Sequence, residues 1–515
     1  MLLRIRPGRS VMIPLALAAA ITAGAPAVTA AARSAAPQWS APNADLAATR
    51  DAAGPIYSGS VARLSQAWSV PIVAATGPDR WPGAYSATPV VVDGVVYTQD
   101  LDSNVYAIEL STGKVLWTKV YGQAIPGPNG VSVAAGKVFG GTASNAFALD
   151  ARTGQELWSK PLLRNETEGI DMAPGYNNGT VYISTVPGNS THQNAAGGQG
   201  VVWALDARTG ATKWKFETVP AGLWGHPDIN AGGGLWYPPS FDRDGYLYIG
   251  VGNPLPILGT PDYPWASSRP GTNLYTDSVV KLDPRTGKVV WYNQITPHDI
   301  YDWDLQNSPV ITQAAGRPVV IGSGKAGYVY EFDQATGRVL WKTPVGVHNG
   351  HDGDNLLALN GTFSPAFPYT IEPGVLGGMP SPPATDGRTV YVAVNNFPAT
   401  WTAMGGGPSI DPSGASGELV ALDLITGQIK WTHHFDSSPY GGTSVTNDLV
   451  FTVTFEGTIH ALNTRTGEEV WSSTLPAVSN APVAISGGYL LAGAGWPQTP
   501  GQQGQIIAYR LGGAS

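Results

Sequence analysis

The densest group of chemically active side chains lies in residues 296–306, Thr-Pro-His-Asp-Ile-Tyr-Asp-Trp-Asp-Leu-Gln. This segment holds one histidine and three aspartates in a chain in which only 13% of the residues are charged. If the segment is a strand, its side chains alternate between two faces, which would place Asp302 and Asp304 on one face. Two adjacent carboxylates can accept a proton or bind a cation. The same letters also fit the ordinary entry into a strand, and we expect His298 to be structural.

Three other segments each contain a single candidate. Trp236 follows three glycines in Gly-Gly-Gly-Leu-Trp-Tyr-Pro-Pro, Asn253 stands in Gly-Val-Gly-Asn-Pro, and Lys325 stands in Gly-Ser-Gly-Lys-Ala-Gly. An indole can stack on a flat ring, and an amide oxygen is a suitable ligand for a hard cation. Each candidate also has a structural explanation: a core tryptophan, a turn asparagine before a proline, and a surface lysine in a glycine-rich turn.

A repeated motif that ends in tryptophan indicates the architecture that positions these residues. In every copy, Thr-Gly stands five and four residues before the tryptophan. The copies end at Trp117, Trp158, Trp214, Trp291, Trp341, Trp431 and Trp471. Each unit reads as an apolar strand, a turn in which glycine supplies the positive φ, and a second strand. With a strand pair upstream, the unit is one four-stranded propeller blade, and we expect its tryptophan to pack between neighbouring blades.

The ends of the chain predict how the ring closes. Trp68 resembles a degenerate eighth copy of the motif, and residues 505–511 read as a strand with no motif after it. Pairing of these two segments would close the ring and remove a free sheet edge. We therefore predict an all-β, eight-bladed β-propeller of four-stranded antiparallel blades, with seven blades as the alternative. The longest intervals between copies precede Trp291 and Trp431, so inserted loops are expected there.

Composition excludes several classes of function. The 65 glycines and 43 prolines suit short strands and many turns. The net charge is −8, and no basic stripe favours nucleic acid as a partner. The chain has no cysteine, which excludes disulfides and a haem attached through Cys-x-x-Cys-His.

The first thirty residues read as a targeting segment. Basic residues precede an apolar run that ends at about Ala25, and small residues follow it. We predict a secretory signal peptide at residues 1–30, cleaved near Ala30, and a single propeller domain at residues 31–515. The mature protein would be secreted, with no transmembrane segment.

The blade motif, the blade count and the entry segment at residues 38–50, Gln-Trp-Ser-Ala-Pro-Asn-Ala-Asp-Leu-Ala-Ala-Thr-Arg, resemble the family of quinoprotein alcohol dehydrogenases that use pyrroloquinoline quinone (PQQ). The resemblance implies PQQ and Ca²⁺ or a lanthanide as cofactors. It implies that Trp236 forms the floor under the quinone ring and that Asn253 gives its amide oxygen to the metal. Lys325 matches a Lys or Arg that contacts the quinone oxygens.

The same resemblance assigns roles within the acidic segment. The family pattern Pro-His-Asp-x-Trp-Asp falls on residues 297–302, with Tyr301 in place of its tryptophan. This match implies that Asp302 is the catalytic base and a metal neighbour. Asp304 matches an added metal ligand of lanthanide-using relatives.

The implied reaction oxidises a small or polymeric alcohol to an aldehyde or ketone, and the electrons pass to an external acceptor. Asn395 and Trp496 lie in late loops that often reach the cofactor in the family.

Two departures from the family pattern keep a second function open. The calcium-binding glutamate has no counterpart in residues 185–200, where Asn194 or Gln199 would be a weak substitute. An arginine that contacts the quinone has no match in residues 125–131. Non-catalytic propellers, such as outer-membrane assembly scaffolds, share the blade motif. The alternative is therefore a binding or assembly scaffold without catalysis.

Overall fold

The structure is a computed structural model that describes residues 39–74, 83–188, 196–410, 415–498 and 502–512. Residues from Pro37 to Ser515 group into one compact unit. The predicted signal peptide lies outside the described residues and stays a prediction.

Eight blades of four antiparallel strands form the ring in the described residues, and the strands of the first seven follow in chain order. The sheet of the third blade also carries the short strand Glu168–Gly169. The first blade comprises Val90–Val92, Val95–Gln99, Val105–Glu109 and Val115–Lys119. The second comprises Ser132–Ala134, Lys137–Gly141, Asn145–Asp150 and Glu156–Pro161. The third comprises Gly175–Asn177, Thr180–Pro187, Val201–Asp206 and Thr212–Glu217. The fourth comprises Ser240–Phe241, Leu247–Gly250, Ser278–Leu282 and Val289–Gln294.

The remaining blades complete the ring. The fifth blade comprises Val310–Ala314, Arg317–Ser323, Tyr328–Asp333 and Val339–Pro344. The sixth comprises Ala384–Thr385, Thr389–Asn396, Ser416–Asp423 and Ile429–Phe435. The seventh comprises Ser444–Thr446, Leu449–Val453, Thr458–Asn463 and Glu469–Thr474. The eighth comprises Ala484–Ser486, Tyr489–Ala494, Gln505–Leu511 and Leu64–Pro71.

Short elements in the connections complete the described structure. Further short strands are Glu168–Gly169, Ala231–Gly232, Pro254–Leu255, Tyr369–Ile371 and Ala399–Trp401. The helical segments are two 3₁₀ turns, Val61–Arg63 and Leu223–Gly225, and one α-helix, Asp354–Leu359. None of the helices in the described ranges is long and apolar enough to cross a membrane.

The ring closes as the sequence predicts. Leu64–Pro71, which carries Trp68, pairs antiparallel with Gln505–Leu511. This pairing joins the two ends of the described chain in the eighth blade and leaves no free edge between first and last blades. The eight-bladed prediction is confirmed, and the seven-bladed alternative is wrong.

The repeated tryptophan joins each blade to the next. The indole N–H of Trp68 donates to the Leu110 carbonyl at 2.8 Å, and that of Trp214 donates to the Pro284 carbonyl at 2.8 Å. The same indole packs on the glycine of the next blade's Thr-Gly turn, where a Cβ on Gly113 would come within 2.6 Å of Trp68. That glycine also has φ +75°, so it is required both by the turn and by the packing. The expected wedge between blades is confirmed.

The extra chain is inserted at the blades where the motif spacing is longest. Residues 251–277 separate the two middle strands of the fourth blade, and residues 345–383 join the fifth blade to the sixth. Residues 295–309, which hold the acidic segment, join the fourth blade to the fifth. These connections bring the candidate residues together.

Candidate active site

The acidic segment is a loop and not a strand, so the strand predicted for Asp302 and Asp304 is wrong. Asp302 has φ +64°, a left-handed conformation that breaks the alternation of a strand. Asp299 holds the chain in this turn because its two carboxylate oxygens accept the amide hydrogens of Tyr301 at 2.8 Å and Trp303 at 2.7 Å. The carboxylates of Asp302 and Asp304 nevertheless meet, since both contact the same lysine.

Lys325 joins the two carboxylates. Its Nζ lies 2.7 Å from Asp302 Oδ2 and 2.6 Å from Asp304 Oδ2. The contact with Asp302 is a directed hydrogen bond, whereas the buried Oδ2 of Asp304 accepts no well-aligned hydrogen bond from the described residues. The Asp302 side chain is 19% exposed and that of Asp304 is fully buried. Asp302 is therefore the carboxylate that a substrate can reach.

Asp304 also holds two other candidates in place. Its Oδ1 accepts the indole N–H of Trp236 at 3.2 Å and the backbone N–H of Asn253 at 2.8 Å. The Asn253 side-chain amide donates to the Pro254 carbonyl at 3.2 Å. A Cβ on Gly252 would come within 2.9 Å of Asp304 Oδ1, so glycine is needed for this close approach. The sequence-predicted residues Trp236, Asn253 and Asp304 thus form one connected group.

The charges of this group do not balance internally, because one ammonium faces two carboxylates. Burial alone would lower the pKa of Lys325, but Asp302 and Asp304 outweigh it and raise that pKa above its usual range. Burial raises the pKa of Asp302, the Lys325 ammonium opposes this rise, and Asp304 adds to it. A further cation beside the carboxylates would remove the excess negative charge.

Two buried aspartates near this group were not predicted from the sequence. Neither oxygen of Asp171 or of Asp277 has a hydrogen-bond partner among the described residues. Burial, followed by the charge of Asp304, raises the pKa of Asp171 to about 8. Burial, followed by the charge of Asp299, raises the pKa of Asp277 well above its usual range. Neither residue stands in a motif that marks it, since their burial depends on packing between distant loops.

A cavity near the carboxylate pair has Trp236 in its lining. Trp236, Tyr237 and Lys325 line it, together with Pro126 and Pro128 from the loop before the second blade. The walls also include Ser86, Gln306, Leu376, Pro380, Ser381, Tyr440 and Asn480. Lys325 is the one charged residue among the described residues that line this cavity. A cavity with a single positive charge and an indole suits a flat, anionic ring.

Two predicted cofactor contacts lie away from this lining. Asn395 is buried, and its side-chain amide donates to the Leu376 carbonyl at 3.2 Å, while its Oδ1 has no described partner. Trp496 lines a second cavity that neighbours the first. The structure therefore places Asn395 behind the wall formed by Leu376 and places Trp496 in a different pocket.

The donor set fits a hard cation but is small. Asp302 and Asp304 supply carboxylate oxygens that converge within contact distance of one point, now held by the Lys325 ammonium. Across the described ranges, no group of three or more His, Cys, Asp or Glu is arranged to hold a metal. Of the two weak substitutes, Asn194 lies outside the described residues. The Gln199 amide nitrogen donates to the Pro220 carbonyl at 2.9 Å.

His298 serves the structure of the loop, as its sequence setting indicates. Its ring nitrogens lie 3.0 Å from the Gly271 carbonyl and 3.2 Å from the Trp265 carbonyl. Burial, followed by the charge of Arg269, lowers its pKa. The neutral ring of His298 carries one N–H group and therefore donates only one of these two hydrogen bonds.

Asp299→Asn should lower turnover by about tenfold and the free energy of unfolding by about 1.5–3 kcal/mol, the usual range for a hydrogen bond to a charged group. The amide can accept only one of the two backbone hydrogens that fix the turn at Asp302. Urea unfolding and steady-state kinetics measure both effects. Asp283→Asn is the matched control, because Asp283 also accepts a backbone amide but in an exposed turn. Equal effects of the two variants would contradict a positioning role for Asp299.

Comparison with known proteins shows the family to which the chain belongs. Residues 39–346 match the PQQ family model for the glucose/ethanol/alcohol dehydrogenase β-propeller domain, and residues 415–510 match the model for outer membrane protein assembly factor BamB. A quinohemoprotein alcohol dehydrogenase of Comamonas testosteroni is 28% identical over 85% of this chain and 69% of its own. Quinoprotein alcohol dehydrogenase PedH of Pseudomonas putida is 26% identical over 77% of this chain and 76% of its own.

Solved structures give the same result. The crystal structure of the Comamonas testosteroni quinohemoprotein alcohol dehydrogenase has a TM-score of 0.78 at 26% identity and covers 93% of this chain and 81% of its own. A europium-containing methanol dehydrogenase has a TM-score of 0.76 at 21% identity over 92% of this chain and 98% of its own, which shows the shared fold. Because the PQQ family model matches more than half of this chain, the chain belongs to the PQQ-dependent quinoprotein alcohol dehydrogenases.

Proposed function

We propose that the protein oxidises an alcohol to an aldehyde or ketone with PQQ and a bound Ca²⁺ or lanthanide ion, and passes the electrons to a separate acceptor. The observation that carries this proposal is the contact of one lysine with two carboxylates beside a cavity that Trp236 and the same lysine line. A scaffold gains nothing from a partly exposed carboxylate held in such a position, since buried charge is costly. Membership of the dehydrogenase family supports the same conclusion.

Each residue of the group has a proposed role. Asp302 accepts the proton of the substrate hydroxyl, because it is the exposed member of the carboxylate pair. Asp302, Asp304 and Asn253 would hold the metal, and Trp236 would form the floor under the cofactor. Bound PQQ supplies the two-electron oxidant, and the bound ion supplies Lewis-acid polarisation. Lys325 donates to Asp302 and offsets negative charge that accumulates in the site.

The sequence supports a separate electron acceptor and export of the protein. The given sequence has no cysteine for a Cys-x-x-Cys-His haem attachment, which supports transfer of the electrons to another molecule. The basic and apolar residues at the start of the chain support export, and we place the activity outside the cytoplasm.

The purified protein should reduce an artificial dye only when PQQ, a metal ion and an alcohol are all present. PQQ is titrated by quenching of tryptophan fluorescence with Ca²⁺, with La³⁺ and with a chelator, and dye reduction is followed separately. Trp236→Leu should weaken PQQ binding by at least about tenfold, the scale of an aromatic stacking contact.

A second candidate function is the binding or assembly scaffold, which the BamB match over residues 415–510 favours. The same titration with PQQ distinguishes the dehydrogenase from the scaffold. Failure to bind PQQ with any metal would contradict the dehydrogenase and leave the scaffold.

A further inference from the structure

The acidic segment is docked on the connection that joins the fifth blade to the sixth. We call this connection, residues 345–383, the bridging segment. Three hydrogen bonds of 2.8 to 3.1 Å cross between the two segments or their immediate continuations, and they pair Ile300 with Asn355, Gln306 with Pro380 and Asn307 with Met379. The loop that carries the two carboxylates is therefore held by one connection on both sides of these carboxylates.

The two neighbours of Asp302 in the chain are held by the same bridging segment. The hydroxyl of Tyr301 donates to Asp354 Oδ2 at 2.7 Å, and the indole N–H of Trp303 donates to the Pro373 carbonyl at 3.0 Å. Asp302 itself has φ +64°, a conformation that a residue other than glycine keeps only when the surrounding structure fixes it. The side-chain bonds of Tyr301 and Trp303 supply this restraint from outside the acidic segment.

Asp354 is the centre of a small buried group of hydroxyls. Its Oδ2 also accepts the hydroxyl of Tyr369, which in turn contacts the hydroxyl of Tyr301. His351 Nδ1 lies 2.9 Å from the same oxygen, and the His351 side chain is 30% exposed. Burial, followed by Tyr369 and Asp354, raises the pKa of Tyr301 above its usual range, so this hydroxyl stays protonated and remains a donor.

We propose that Asp354, together with Tyr369, positions the base Asp302 by holding the hydroxyl of Tyr301. This proposal rests on the proposed function, in which Asp302 takes the substrate proton. Such a base must lie within hydrogen-bond reach of that proton, and a misplacement of about 1 Å can cost about 10²-fold in rate. The family pattern has tryptophan in place of Tyr301 and therefore does not contain this hydroxyl. Asp354 acts without touching the substrate.

Tyr301→Phe is the smallest change that breaks the contact. It removes the hydroxyl and keeps the ring, which packs edge to face on Trp303 with centroids 5.1 Å apart. We expect kcat for each bound PQQ to fall by at least about tenfold, because the base is misplaced, while KM and the Kd for PQQ stay within about twofold. Steady-state assays use the best substrate among ethanol, 1-butanol, benzyl alcohol and glycerol, and fluorescence titration measures PQQ binding.

The matched control is Tyr391→Phe. Tyr391 is also fully buried and donates its hydroxyl to a carboxylate, that of Asp386 at 2.9 Å, but it lies in a strand of the sixth blade. Loss of this bond should lower stability and leave kcat for each bound PQQ within about twofold, because no reacting group depends on it. An equal fall of kcat in both tyrosine variants would contradict the proposal.

A double variant tests whether the two residues act through one bond. Tyr301→Phe removes the donor and Asp354→Ala removes the acceptor. The double variant should have a kcat within about twofold of the less active single variant, because both changes remove the same contact. A double variant whose loss is the product of the two single losses would show that the residues act separately, and this would contradict the proposal. Circular dichroism establishes that each variant is folded.

Hydrogen exchange measured by mass spectrometry tests the anchor without cofactor or turnover. Peptides that contain residues 296–306 should exchange at least about tenfold faster in Tyr301→Phe and in Asp354→Ala than in the parent protein, because the loop opens locally more often. Peptides from the sixth blade should be unchanged in these two variants and should exchange faster in Tyr391→Phe.

The two kinds of measurement separate this proposal from the proposed function. If the parent protein oxidises none of the four alcohols, the proposed function fails, and exchange alone decides whether Asp354 holds the acidic segment. Unchanged exchange of residues 296–306 in folded Tyr301→Phe, or an unchanged kcat for each bound PQQ, would overturn the positioning role. A loss of PQQ affinity as large as the loss of kcat would also overturn it, since that indicates general damage to the site.

Discussion

Asp302→Asn should reduce turnover by about 10²–10⁴-fold, the usual contribution of a general base. The asparagine keeps the size of the side chain and one acceptor for the Lys325 ammonium, but it cannot take the proton of the substrate hydroxyl. PQQ binding should remain measurable, because Trp236 and Lys325 are unchanged. Single-turnover kinetics with a saturating alcohol, combined with fluorescence titration of PQQ, measure the two effects separately.

The control for this variant is Asp262→Asn, at an exposed aspartate away from the acidic segment. It should leave turnover within about twofold of the parent protein, as is usual for surface substitutions. Asp302→Ala should lose as much turnover as Asp302→Asn. A fully active Asp302→Asn protein would remove Asp302 from the role of base and direct attention to Asp171, whose carboxylate has no described partner.

The pH dependence of turnover should follow the same residue. Burial raises the pKa of Asp302, so a larger share of this base is protonated at neutral pH than for an exposed aspartate. Only the deprotonated carboxylate accepts the substrate proton, and turnover therefore rises as the pH increases through that pKa. A bound cation favours the charged form and moves the rise to lower pH.

The fold could be predicted from the sequence because its information is repeated. Each Thr-Gly turn is next to the tryptophan of the preceding blade, so the glycine and the indole occur in every unit for the same packing reason. Ring closure was predictable because only two segments, around Trp68 and at residues 505–511, lacked partners. Repetition thus replaced the long-range information that a single sequence normally lacks.

The site could be predicted only in part. The family resemblance marked Trp236, Asn253, Asp302, Asp304 and Lys325, and the structure brings these five together. The expected strand is absent because the carboxylate of Asp299 holds a left-handed turn at Asp302. The alternation of side chains in the sequence does not indicate such a turn. The positions of Asn395 and Trp496 depend on the direction of their side chains, which no pattern in the sequence predicts.

Lys325→Met should make the stability of the protein depend on metal. The methionine leaves Asp302 and Asp304 in the interior without their shared counter-ion, and loss of one partner of a buried pair typically costs about 3–5 kcal/mol. A divalent or trivalent cation can take the place of the ammonium between the same oxygens. We expect the free energy of unfolding to fall by this amount in a chelator and to recover substantially with excess Ca²⁺ or La³⁺.

The matched control is Lys281→Met. Lys281 is also buried, but its Nζ lies 3.6 Å from a single carboxylate, that of Asp242, and over the ring of Tyr246. This variant should be destabilised without regaining stability from metal, because one carboxylate does not form a site. Urea unfolding of both variants with chelator, Ca²⁺ and La³⁺ makes the comparison. Recovery of both variants by metal, or of neither, would contradict the assignment of the Asp302 and Asp304 pair as the metal site.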